Sequence, residues 1–65
     1  MNWDRVEGNW KEFKGKARQK WSDLTDDDLD KIQGKREELI GKVQDKKGIA
    51  RDAAEREVDE WSRSL

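Results

Sequence analysis

The sequence predicts an all-α chain: one domain over residues 1–65, folded as a compact bundle of four short helices, or five if the first is divided. Three observations carry this expectation. Proline is absent, and Lys, Glu, Arg, Gln and Ala abound with almost no β-branched runs, a composition that favours helix throughout. Val6, Trp10, Phe13, Ala17, Trp21 and Leu24 are spaced 4, 3, 4, 4 and 3 apart, one stripe of a helix. Start and stop signals then divide the rest of the chain into segments of helical length.

The first helix falls within residues 3–22. Asn2 can cap it, Asp4 and Glu7 suit the positive end of its dipole, and Gly8 is where it would divide. It ends before the turn Ser22-Asp23-Leu24. Thr25-Asp26-Asp27-Asp28 reads as a second start, with the Thr25 hydroxyl accepting from the Asp28 amide and three carboxylates at the dipole end. That helix runs to about Gln33. A third carries Ile32 or Arg36 with Leu39, Ile40 and Val43 on one face, and stops at Gly48 after Lys46-Lys47, cations last and glycine just beyond. Ile49 plugs the turn. The fourth spans Ala50 to Ser62 with Ala50, Ala54, Val58, Trp61 and Leu65 in one stripe. Charged residues make up 48% of the chain, so the core is small and must be built on a few large side chains. Trp10, Phe13, Trp21, Leu39, Val43, Val58 and Trp61 are the expected ones.

Composition also excludes chemistry. With no Cys there are no disulfides, thiolate nucleophiles or cysteine metal sites, and with no His the usual general base and commonest transition-metal ligand are missing. Tyr is absent too, leaving carboxylates, Lys, Arg and a few hydroxyls for proton transfer. The expectation is a non-enzyme with no cofactor and no small-molecule substrate. No catalytic, cofactor-binding or metal-ligating residue stands out. No apolar run is long enough for a signal-peptide core or a membrane span, which makes the cytoplasm the expected location.

Net charge is −1 overall but alternates along the chain: +3 over residues 1–21, −5 over 22–30, +3 over 31–48 and −2 over 49–65. The basic first and third helices are therefore expected beside the acidic turn and the fourth helix. Six acid-then-base pairs at i,i+4, among them Glu38–Lys42 and Asp59–Arg63, would each add about 0.2–0.5 kcal/mol to local helicity. A weak repeat is superposed on this pattern. Gly8, Gly15 and Lys16 align with Gly34, Gly41 and Lys42 at an offset of 26, with Phe13 over Leu39 and Ala17 over Val43. A helical wheel puts each glycine opposite its apolar stripe, in solvent. Either these glycines merely weaken helices or mark their ends, or they form a second, flat contact face for another helix.

The runs Gly8-Asn9-Trp10-Lys11-Glu12-Phe13-Lys14-Gly15-Lys16, Leu24-Thr25-Asp26-Asp27-Asp28 and Gly34-Lys35-Arg36-Glu37-Glu38-Leu39-Ile40-Gly41-Lys42-Val43-Gln44, with Trp21 between the first two, are followed by Ala54-Glu55-Arg56-Glu57-Val58 and Trp61. In this order and spacing the chain resembles the CsbD-like family of small bacterial stress proteins, over nearly its whole length. The resemblance implies a compact domain of four or five helices made in a general stress response, with no established biochemical activity and no functional residues to carry over. Lys46-Lys47-Gly48-Ile49 departs from that pattern, since relatives often carry an aromatic near the glycine.

Two ligand chemistries are weighed and set below simpler readings. Asp26, Asp28, Asp30 and Glu37 have some of the spacing of a calcium loop, but Lys31 stands where the loop turn needs glycine, and capping explains the acids. Lys11, Lys14, Lys16, Arg18 and Lys20 with Trp10 and Trp21 mix cations and aromatics as single-strand nucleic-acid binders do, yet the tryptophans lie on the stripe a bundle must bury. The same helix is too diluted by Glu7 and Glu12 to favour an anionic membrane. The leading functional expectation is a hydrophilic stress protein that protects other proteins through its charged, hydrated surface. The alternative is a small helical interaction module that binds a protein partner or itself through one helix face.

Overall fold

The computed structural model describes residues 3–65 and contains five helices: α1 (Trp3–Gly8), α2 (Trp10–Lys20), α3 (Asp26–Ile32), α4 (Arg36–Lys47) and α5 (Arg51–Arg63). The expected cap Asn2 lies outside the described residues. The first helix is divided, one residue later than Gly8. Asn9 sits at φ −120°, ψ 33°, its side-chain amide donating to the Arg5 carbonyl at 3.1 Å while its own carbonyl accepts from Glu12 and Phe13. An Asn side chain that competes for backbone groups in this way separates α1 from α2.

The second start forms as a full capping box: the Asp28 amide donates to the Thr25 hydroxyl at 3.1 Å and the Thr25 amide donates to the Asp28 carboxylate at 3.2 Å. Gly48 ends α4 at φ 64°, its amide donating to Gln44 at 2.9 Å, the left-handed cap that glycine adopts without strain. Ile49 is half-buried against the core, as expected of a turn plug.

One cluster forms the core. Val6 of α1, Phe13 and Ala17 of α2, Leu29 and Ile32 of α3, Leu39, Ile40 and Val43 of α4, and Ala54, Val58 and Trp61 of α5 are buried, joined by Trp21 and Leu24 from the α2–α3 connection. Six of the seven side chains expected there are inside. Trp10 is the exception: it opens α2 at the edge of the bundle, half-buried, where its indole N–H reaches the Leu29 carbonyl at 2.7 Å. Ala50 also departs from its predicted stripe, lying exposed as the N-cap of α5. Trp61 packs between two other indoles, tilted against Trp3 at 6.0 Å and edge-on to Trp21 at 5.4 Å.

The repeat has a structural counterpart, because α2 and α4 begin 26 residues apart and Gly15 and Gly41 are each the sixth residue of their helix. Val6, Ile32 and Val58 continue the same interval, all fully inside. Around Gly8, Gly15 and Gly41 the position of a β-carbon is open, as the wheel predicts. Gly34 contradicts it. This glycine is buried at φ +77°, directly after Gln33 at φ 55°, and a β-carbon there would stand 2.7 Å from the Glu7 Cα. Its neighbours do not belong to its own helix, so no wheel drawn on α4 could place it.

Gly34→Ala should therefore cost about 2 kcal/mol or more, from left-handed strain and backbone collision together. Gly41→Ala should gain about 0.5–1 kcal/mol, a contrast that urea unfolding of the two variants reads directly. Trp61→Ala should cost about 3–5 kcal/mol. In iodide quenching, Trp21 and Trp61 should be protected relative to Trp3 and Trp10.

Candidate functional surface

The ion pairs run mostly between helices, and they follow the alternating charge of the chain. Lys14 and Arg18 of α2 bind Asp30 and Asp26 of α3, at 2.6 and 2.8 Å. Arg36 of α4 holds Asp59 of α5 with two guanidinium contacts of 3.1 and 3.2 Å, a fork matched to the carboxylate. Lys47 bridges both oxygens of Glu57 at 2.9 Å, and Arg51 pairs with Glu37. The basic helices thus lie beside the acidic ones. The i,i+4 expectation fares differently, since none of the six predicted pairs is among the ion pairs of the described residues. Asp59 turns to Arg36 instead of Arg63, Lys42 turns to Asp28 instead of Glu38, and the i,i+4 pair formed is Arg51–Glu55, base first.

Two carboxylates are the most enclosed points of this network. Asp28, nearly buried, accepts from the Thr25 amide and lies 3.6 and 3.5 Å from Lys42 and Lys46. Glu57 accepts from Lys47 and from the Trp21 indole N–H at 3.0 Å, tying the end of α2 to α4 and α5. Hydrogen bonding lowers both acids from their ordinary range, through the Thr25 amide at Asp28 and Lys47 at Glu57, and Arg36 does the same for Asp59.

These contacts account for the residues of both ligand readings. The acids of the calcium-like spacing are held by Arg18, by Thr25 with Lys42 and Lys46, by Lys14, and by Arg51. Among the described residues, no group of three or more acids is arranged to hold a metal ion. In the basic stretch, Lys14 and Arg18 are paired, Trp21 is buried and Trp10 is half-buried with its indole N–H bonded, which leaves no pair of open aromatic faces for base stacking. Sequence spacing did not reveal that Asp28 would be drawn inside; its two lysines come from α4.

What remains open is shallow and charged. One groove of about 440 Å³ lies over Gly41, lined by Glu37, Glu38, Lys42, Asp45 and Arg51. A second, of about 370 Å³, lies at the α1–α2 junction over Gly8, lined by Asn9, Lys11 and Glu12. In both, the missing side chain of a glycine makes the depression.

Stability should fall in acid. A carboxylate whose folded pKa lies below its unfolded value stabilises the fold fully above the unfolded value and loses that contribution as pH drops through the folded one. For Asp28, Asp59 and Glu57, whose ordinary values are 3.8, 3.8 and 4.5, stability should hold from neutral pH to about pH 5 and decline below it. Glu57→Gln, followed by thermal unfolding at each pH, should remove part of that slope.

Comparison with known proteins fits this fold and surface. The CsbD-like family model matches residues 4–56. The chain is 54% identical over 61 residues to a UPF0337 protein of Pectobacterium atrosepticum, covering 94% of this chain and 88% of that one. It is 52% identical over 61 residues to the UPF0337 protein YjbJ of Escherichia coli strain K12, with the same coverage of 94% and 88%. A family match across most of the helical core, with relatives above half identity along nearly the whole length, shows that the chain belongs to the CsbD-like family.

Proposed function

We propose that the protein is a non-enzymatic bacterial stress protein that protects other proteins through its densely charged, hydrated surface, acting in the cytoplasm. The observation that carries this reading is how the apolar residues are used. Thirteen of them close into the core, with Trp3, Trp10, Ile49 and Leu65 half-buried against it, while of the 15 basic and 16 acidic residues all but Asp28 remain wholly or partly exposed. Four tryptophans would be out of place in a chain that only solvates its surroundings. Here they make a folded body, and the charged residues are carried on a bundle with a defined shape.

The sign balance supports the same reading. At a net charge of −1 the molecule as a whole is not drawn to acidic or to basic clients, while its charged groups hold water. Family membership supplies the stress setting by resemblance. A non-enzymatic role is supported by the residue inventory, without His, Cys or Tyr, and by the engagement of Asp28, Glu57 and Asp59 in structural contacts. No helix among the described residues is long and apolar enough to cross a membrane.

The test is a freeze–thaw assay on a labile enzyme. The protein at modest molar excess should preserve more activity than an equal mass of albumin. Equal or poorer preservation would remove the reading's support.

A further inference from the structure

We infer that the protein associates with a second copy of itself head to tail, the outward face of α2 in one copy docking on the outward face of α4 in the next, through opposite charge. The two faces occupy matching positions in the 26-residue repeat. On α2 the exposed rows carry Lys11, Lys16 and Lys20 against one acid, Glu12. On α4 the exposed positions around Gly41 carry Glu37, Glu38 and Asp45, while Lys46 and Lys47 are exposed in its last turn.

The reversal has a structural cause. Lys42 and Lys46 stand 26 residues after Lys16 and Lys20, and would make the face of α4 as basic as that of α2. Both instead pair with Asp28 of α3, which offsets their charge, although Lys42 still lines the groove over Gly41. At position 11 the repeat places Lys11 where α4 has Glu37, completing the change of sign. Glu37 is partly neutralised by Arg51, whereas Glu38 and Asp45 enter none of the ion pairs described above and face solvent. The result is one molecule with a basic and an acidic helix face.

Several features allow those faces to meet. No β-carbon stands at Gly15 or Gly41, at the middle of each face, and the groove over Gly41 is lined by Glu37, Glu38 and Asp45 together with Lys42 and Arg51, each of which is paired to a carboxylate. The net charge of −1 leaves little overall repulsion between copies near neutral pH. A contact between two different faces is heterologous, so it repeats from copy to copy and forms short open chains instead of closed two-fold dimers. Exposed charges are screened within about 10 Å at 0.1 M salt and about 3 Å at 1 M, so the association is strongest in dilute buffer.

Sedimentation of the whole protein over a range of concentrations, in low and high salt, tests this. The weight-average mass should rise with concentration in low salt and return to the monomer value in high salt. Two double variants identify the faces: Lys11→Glu with Lys16→Glu makes both faces acidic, and Glu38→Gln with Asp45→Lys removes the acidic one. All four side chains are exposed, none holds helices together by an ion pair, and no new charge opposes its helix dipole. Amide correlation spectra check that each variant keeps the fold. Each alone should lose the association, and an equimolar mixture should recover it. A wild-type mass that stays monomeric in low salt, variants that associate as wild type does, or a mixture that stays monomeric would each overturn the inference.

Discussion

The fold depends on how a chain that is nearly half charged concentrates its few large side chains at one junction. Trp61 lies between Trp3 and Trp21, and the Trp21 indole N–H anchors on Glu57, which Lys47 also grips. Four helices or their ends therefore meet at this point: α1 through Trp3, the end of α2 through Trp21, α4 through Lys47, and α5 through Trp61 and Glu57. Burial of these large rings adds to that of the aliphatic side chains around them in driving so small a core together. The carboxylate is what makes the arrangement specific, since a buried indole N–H needs an acceptor and Glu57 is the one within reach.

The interhelical ion pairs are secondary in energy and primary in register. Exposed pairs such as Arg18–Asp26 contribute at most about 1 kcal/mol each. Yet they fall where basic segments meet acidic ones, and so favour the helix neighbours that the alternation of charge along the chain sets. The forked Arg36–Asp59 contact and the two-lysine clasp on Asp28 fix α4 against α5 and α3 respectively. A core of small aliphatic residues could tolerate sliding of one helix along another; these contacts do not.

Much of this was legible in the residues. The Thr25 box, the Gly48 stop and the apolar stripes of α2 and α5 are local signals, and they placed the ends of these helices to within about two residues. The alternation of charge foretold which helices would be neighbours. What could not be read are contacts between residues distant in sequence. Gly34 looks like a solvent glycine until Glu7 is brought against it, and Trp10 belongs to the apolar stripe yet sits at the edge because Leu29 offers its carbonyl there. Asp59 gives no sign in sequence that it will choose Arg36 over Arg63. The shallow grooves do not show in the sequence as grooves, although the repeat marks the glycines beneath both.

The order of packing along the chain has a kinetic consequence. The main helix contacts join sequence neighbours, α1 with α2, α2 with α3, α3 with α4 and α4 with α5, so the loops closed during folding are short. Chains of this kind, rich in local contacts, typically fold within microseconds to milliseconds. With no proline to isomerise and no disulfide to form, neither of the common slow steps is present. The contact of Trp3 with Trp61 spans almost the full length of the chain. A protein built this way, once melted, has neither of those slow steps to repeat on its way back to the fold.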